Sequence, residues 1–207
     1  MVFLGFSAGL PYLLVFSTLT AWLTEAGVSR TTTGFFAWVG ITYSVKVFWA
    51  PVIDRLRIPW LTRRLGKRRS WILAGQLGIA FGLLGIALVG PEGGLTTVAL
   101  LALLVAFSSA TQDIAIDAYR IEAVQIDYQG AMSAAYIFGY RVALLAAGAG
   151  ALYVAEYYSW PVSYMTMFAL MAIGVLTVAM LTSSCPSSIR LAITISPSRL
   201  SRRICPI

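Results

Sequence analysis

Apolar residues run along this chain in long stretches, each close to the ~20 residues a helix needs to cross a bilayer, with polar and charged residues gathered between them. The pattern predicts six membrane helices, at 2–23, 34–53, 71–89, 95–119, 131–155 and 161–181. Pro11 falls inside the first, where its missing N–H predicts a kink that neighbouring helices must re-satisfy. Gly75, Gly78, Gly82 and Gly85 form one stripe on the third, and Ala143, Ala147 and Ala151 a small-residue face on the fifth, so both are expected to let another helix approach closely. Tyr157, Tyr158 and Trp160 mark an interfacial aromatic belt, and Pro161 suits the first turn of the sixth helix.

Composition sharpens this picture. Of 207 residues, 59% are hydrophobic and only 11% charged, and the mean hydropathy is +0.82, far from soluble values. The net charge of +7 could suggest a nucleic-acid partner, but the bases sit between apolar spans and report topology instead. Arg55, Arg57, Arg63, Arg64, Lys67, Arg68 and Arg69 face one acid, Asp54, between the second and third spans, so that loop is expected to be cytoplasmic. The loop at 90–94 carries no base, as an external turn should, and six spans then put both termini in the cytoplasm. The chain opens directly on apolar sequence without a basic leader or an A-x-A site, so the first span is expected to stay. Histidine is absent, and Cys185 and Cys205 have no ligand spacing, so no metal, cofactor or disulfide framework is expected. The membrane domain is assigned to 1–182. From 183 to 207 the chain turns basic and rich in serine and proline, which reads either as a disordered membrane-proximal tail or as the mark of a truncated, frame-shifted chain.

The candidate chemistry lies between residues 110 and 141. Asp113, Asp117 and Arg120 stand at i, i+4 and i+7 and share a helix face. At ~1.5 Å per residue, Asp113 lies ~9 Å into the fourth span, Lys46 ~10 Å into the second and Arg141 ~15 Å into the fifth, all from the same side. A charge at the centre of a membrane helix costs ~2.5–3.5 kcal/mol on insertion scales, so such residues need a partner or a task. Two readings stay open: a salt-bridge network locking helices together, or a site where an acid exchanges a proton while a base holds an anionic substrate. Catalysis is a poorer reading, because an aspartic dyad needs its acids on facing helices and here they share one; nor is there a nucleophile elbow, metal motif or phosphate loop.

Several motifs carry a resemblance. Ala50-Pro-Val-Ile-Asp-Arg55 with Gly66-Lys-Arg-Arg69 is similar to a stretched form of the G-x-x-x-D-R-x-G-R-R loop of major facilitator transporters, with alanine at the first glycine and an insertion before Gly66. Leu4-Gly-Phe-Ser-Ala-Gly-Leu-Pro11, Gly34-Phe-Phe36, Lys46-Val-Phe-Trp-Ala-Pro51, Ser109-Ala-Thr-Gln-Asp-Ile-Ala-Ile-Asp-Ala118 and Gly139-Tyr-Arg141 together resemble the AmpG-type muropeptide permeases. The resemblance runs from 2 to 181. It implies an all-α fold of six transmembrane helices, the N-terminal half of a twelve-span facilitator, built as two inverted three-helix repeats with substrate held between two such halves.

The implied function is proton-driven import of anhydro-muropeptides across a bacterial inner membrane for cell-wall recycling. The alternatives are an acetyl-CoA-transporter-like facilitator and a fragment that needs a missing C-terminal half or a second half-transporter. On this reading Asp113 and Asp117 couple the proton, with Asp113 favoured because it lies a turn deeper while Arg120 can neutralise Asp117. Lys46, Gln112, Tyr140 and Arg141 bind substrate. Asp54 and Arg55 belong to the gate, with Asp54 capping or pairing across the cytoplasmic gap while Arg55 and the run from Lys67 to Arg69 meet anionic lipid. The partners are then protons, an amino-sugar peptide and membrane lipid, with no nucleic acid.

Overall fold

The structure, a computed structural model, describes residues 1–56, 58–123 and 125–183. The tail expected from 183 onward, with both cysteines, lies outside the described residues apart from Ser183. Every regular element described is helical. In chain order these are α1 (Val2–Glu25), α2 (30–55), the short α3 (Pro59–Leu65), α4 (Lys67–Val89), α5 (Leu95–Ala123), α6 (Ile126–Tyr157) and α7 (Trp160–Ser183).

Five of these, α1, α4, α5, α6 and α7, are long and apolar enough to cross a membrane. The expected second span departs from that description. Its helical stretch is divided among Arg30–Phe36, Ala37–Gly40, Ile41–Val45, Lys46–Phe48 and Ala50–Arg55, with 3₁₀ turns alternating with α-helix and no unbroken piece above seven residues. Gly34 and Gly40 supply no side chain to pack, Lys46 interrupts the apolar run, and Pro51 cannot donate to the ladder, so the backbone tightens locally.

The glycine stripe explains how α4 and α5 pack. A Cβ on Gly75 would stand 2.9 Å from the Gln112 side chain, and ones on Gly78, Gly82 and Gly85 would run into Ser108, Val105 and Leu101. The two backbones therefore approach to a distance that only glycine allows. A second close crossing joins α1 to α6, where Gly5 and Gly9 lie against the backbone carbonyls of Tyr136 and Tyr140, and Gly139 against that of Val2. Ala143, Ala147 and Ala151 continue this contact and are fully buried. α7 covers α4 and α1, while α2 leans on α5, with Trp49 and Phe107 ring centroids 5.0 Å apart.

α1 passes through Pro11 as an α-helix and then widens into a π-turn over Leu14–Thr18; α6 has its own π-turn at Ala146–Gly150. Such turns loosen the i→i−4 ladder, and here side chains capture nearby carbonyls. Tyr164 donates its hydroxyl to the Leu14 carbonyl at 2.9 Å, and Thr18 to that of Ala147 at 2.9 Å. At one end of the bundle Trp22 stacks on Trp160, whose indole N–H donates to Glu25 at 2.8 Å. Tyr157 and Tyr158 are exposed there, as an interfacial belt requires. At the other end lie Asp54, the bases from Lys67 to Arg69, and Glu122.

Candidate functional site

The site is built outward from a fully buried polar node. Ser7 of α1 accepts hydrogen bonds from the side-chain amides of Gln112 of α5, at 3.0 Å, and Gln76 of α4, at 3.3 Å, while its own hydroxyl donates to the Leu4 carbonyl. Buried amides in an apolar bundle need partners, and these tie three helices at one level. Gln112 thus faces the interior. Its neighbour Asp113, 100° further round the helix, is directed away from α1 and α4.

Asp113 is half-buried, and its Oδ1 is sealed from solvent without a hydrogen-bond partner among the described residues. The charges that reach it are those of Lys46 on α2 and Asp117 on its own helix. Its own field extends to Tyr43 on α2 and to Tyr136 and Tyr140 on α6. An acid on α5 therefore shares its electrostatic neighbourhood with a base on α2 and with phenols on α2 and α6. Of the two bases that the sequence places on the same side as Asp113, it is the Lys46 charge that reaches it; Arg141 is exposed on α6, and its charge bears on Tyr140. Among the described residues no ion pair joins Lys46, Asp113 and Arg141.

Asp117 is accounted for otherwise. It pairs with Arg120 at 3.3 Å across one helical turn, and the Arg120 guanidinium lies over the Tyr136 ring, 5.7 Å from its centroid.

The charged end of the bundle holds a second constellation. Arg68, at the start of α4, bridges two helices: its Nη1 meets Asp54 of α2 at 2.5 Å, and its Nη2 and Nε donate to one Glu122 oxygen of α5 at 2.7 and 3.0 Å. Lys67 donates to the Asp54 backbone carbonyl, and Trp71 to that of Leu56 at 3.1 Å. Arg69 donates to the Leu181 carbonyl at 3.0 Å, with its guanidinium over the Tyr119 ring. Lys67, Arg68 and Arg69, expected to meet lipid, each also find a partner within the protein, because acids and helix-end carbonyls stand within their reach. Arg55 is exposed and outside this network.

A family model described as Acetyl-coenzyme A transporter 1 matches residues 1–94. The anhydromuropeptide permease of Escherichia coli K12 is 36% identical over 172 residues, covering 83% of this chain and 34% of that protein. A Rickettsia conorii protein bearing the name transporter AmpG 4 is 42% identical over 153 residues, covering 74% of this chain and 37% of its own. The chain is a homologue of AmpG-named permeases. An uncharacterized Haemophilus influenzae protein is also similar, at 38% over 173 residues, covering 84% of this chain and 40% of that one. The chain spans about two fifths of the length of the curated relatives it matches. These AmpG relatives are named as transporters or permeases, not as enzymes, and with five apolar helices the chain is a multi-pass membrane protein.

The structure brings the charges of Lys46 and Asp113 and the Tyr140 phenol within one another's influence, while Gln112 is fully buried and Arg141 is exposed. Sequence reasoning missed Tyr43, Tyr136, Arg68 and Glu122. A signal existed for two of them: Tyr43 lies one turn before Lys46, and Tyr136 one turn before Tyr140, so each shares its neighbour's face.

Proposed function

We propose that this chain forms one half of a proton-coupled permease that imports anhydro-muropeptides across an inner membrane, with Asp113 as the coupling carboxylate. The observation that carries the proposal is the Asp113 environment: an acid with one oxygen unpartnered among the described residues, a base on a neighbouring helix whose charge reaches it, and three phenols within its own field. An acid of this kind alternates between two electrostatic states. When it is ionised, Lys46 and Asp113 attract one another. A proton arriving on Asp113 cancels that attraction and leaves the Lys46 ammonium free to take a carboxylate of the peptide. Loss of the proton to the other side restores the pair and expels the anion. Tyr140 and Arg141 supply further donors to the substrate, while Gln112 acts as a positioning residue that fixes the rotation of α5.

The packing supports a facilitator half with inverted repeats. α1 packs on α6 as α5 packs on α2, α4 on α5 as α7 on α1, and α4 meets α7. That is the exchange of contacts expected if α1, α2 and α4 correspond to α5, α6 and α7. In this reading the Arg68 network lies on the cytoplasmic side, both termini do too, and the Asp54–Arg68–Glu122 contact holds the gate. The partner is a second half, either the rest of a longer chain or another polypeptide.

Uptake of labelled anhydro-muropeptide by proteoliposomes tests the reading. Accumulation driven by an inward proton gradient is expected when the chain is joined to a second half, and not with the chain alone. The match to the Acetyl-coenzyme A transporter 1 model favours a second reading, in which the substrate is an acyl-CoA. Competition separates the two: excess acetyl-CoA that blocks uptake while muropeptide does not would favour the second.

A further inference from the structure

A cleft of about 350 Å³ opens between α1 and α2 at the end of the bundle opposite the Arg68 network. Phe16 and Phe36 give it an apolar lining, Thr20, Thr24 and Thr33 a polar one, and the exposed Arg30 lines it as well. Each threonine hydroxyl spends its hydrogen on a backbone carbonyl: Thr20 on Phe16 at 2.5 Å, Thr24 on Thr20 at 2.8 Å and Thr33 on Ser29 at 3.1 Å. These oxygens can therefore only accept, so they suit a ligand rich in O–H and N–H donors. Arg30 has the opposite character. It only donates, is exposed, and makes no ion pair among the described residues. The other charges at this end, Glu25, Glu92 and Glu156, are acidic, so Arg30 is the one group there that attracts an anion.

The cleft also leads somewhere. Tyr12, Phe16, Thr20 and Thr24 follow one another at every fourth residue along one face of α1, a run of about 18 Å. At its inner end the Phe16 ring lies 5.1 Å from Tyr12 and 5.8 Å from Tyr43, and Tyr43 belongs to the neighbourhood of Asp113. A ring-shaped ligand entering the cleft would meet a continuous aromatic path toward the coupling acid.

We infer that this cleft is an outer vestibule that binds acidic sugars before they reach the inner site, with Arg30 holding the carboxylate, the threonine oxygens accepting from hydroxyl and amide groups, and Phe16 lying under the apolar face of the ring. The direction of entry rests on the transport reading above; the binding chemistry does not.

Gly34 lines the same cleft, and a Cβ there meets nothing within 4 Å, so Gly34→Cys introduces a reporter without crowding. In the full chain in lipid nanodiscs, with Cys185→Ser and Cys205→Ser, the rate of maleimide labelling at that position is measured against N-acetylmuramic acid and neutral N-acetylglucosamine. N-acetylmuramic acid should slow labelling about tenfold at ten times its Kd, with N-acetylglucosamine much weaker. Arg30→Gln should remove the protection, and Arg30→Lys should restore part of it. Equal protection by the two sugars, or protection that survives Arg30→Gln, would overturn the inference, as would no protection by either sugar. Arg30-dependent protection without muropeptide uptake by the joined halves would refute the transport reading and leave the vestibule standing. Uptake with no Arg30-dependent protection would refute the vestibule alone.

Discussion

Replacing Arg68 by glutamine should loosen the charged end of the bundle by an amount set by the geometry of its two carboxylate partners. Arg68 is the only side chain among those described that joins α2, α4 and α5 at this end through ion pairs. Its own side chain is largely covered, but Asp54 and Glu122 are 49% and 43% exposed, so solvent screens both pairs. Exposed pairs are worth ~0.2–1 kcal/mol each, which puts the joint contribution at about 0.5–2 kcal/mol. At 1.4 kcal/mol per tenfold, Arg68→Gln should raise the population with this end open by roughly 2–30-fold. Ile53 reports the change, since it adjoins Asp54 and is 2% exposed. With Ile53→Cys in a background lacking Cys185 and Cys205, the rate of thiol labelling follows the open population when closing outpaces reaction. Glu122→Gln should give a smaller increase than Arg68→Gln, and raising the salt concentration should narrow the difference between variant and parent. Labelling of Arg68→Gln within experimental error of the parent at low salt would refute the idea that these contacts hold the gate.

Three further outcomes follow from the packing and the topology. Gly139→Leu drives a side chain into the Val2 carbonyl at the α1–α6 crossing and should lower stability in detergent by about 1–3 kcal/mol, read as an earlier thermal unfolding transition. Gln112→Leu removes one of the two amide bonds to Ser7 and should cost about 0.5–1.5 kcal/mol by the same assay, with substrate affinity in the joined transporter changing less than for Lys46→Gln. A cysteine at Gly93 should label from outside intact cells and one at Leu65 only after permeabilisation; the reverse result would invert the topology.

Much of the architecture was legible because bilayer physics imposes simple rules. Long apolar runs marked α1, α4, α5, α6 and α7, and the glycine stripe on α4 announced a close neighbour, which is α5. The segment at 30–55 was harder. Its composition suits a membrane helix, but the alternation of 3₁₀ and α turns around Gly40, Lys46 and Pro51 depends on local backbone geometry that a hydropathy pattern does not encode. The pairing of Asp117 with Arg120 could be read from their i, i+3 spacing. That the Lys46 charge, not that of Arg141, bears on Asp113 could not, because it depends on the rotation of α2 and α6 about their axes. The pairing of Arg68 was hidden for a similar reason. A basic loop has a general affinity for lipid head groups, and only the arrival of Glu122 from α5 beside Asp54 gives its guanidinium these partners within the protein.

The central claim is that Asp113 carries the proton. It is tested most directly in a full-length relative such as the Escherichia coli permease carrying this chain in place of its matching segment, reconstituted in proteoliposomes with labelled anhydro-muropeptide. Asp113→Asn should abolish accumulation against a gradient under an inward proton gradient, yet retain exchange of substrate across the membrane, since a neutral side chain mimics the protonated state permanently. Asp117→Asn should still accumulate. Accumulation by Asp113→Asn at the parental level, with Asp117→Asn inactive, would contradict the account and move the coupling role to the other carboxylate.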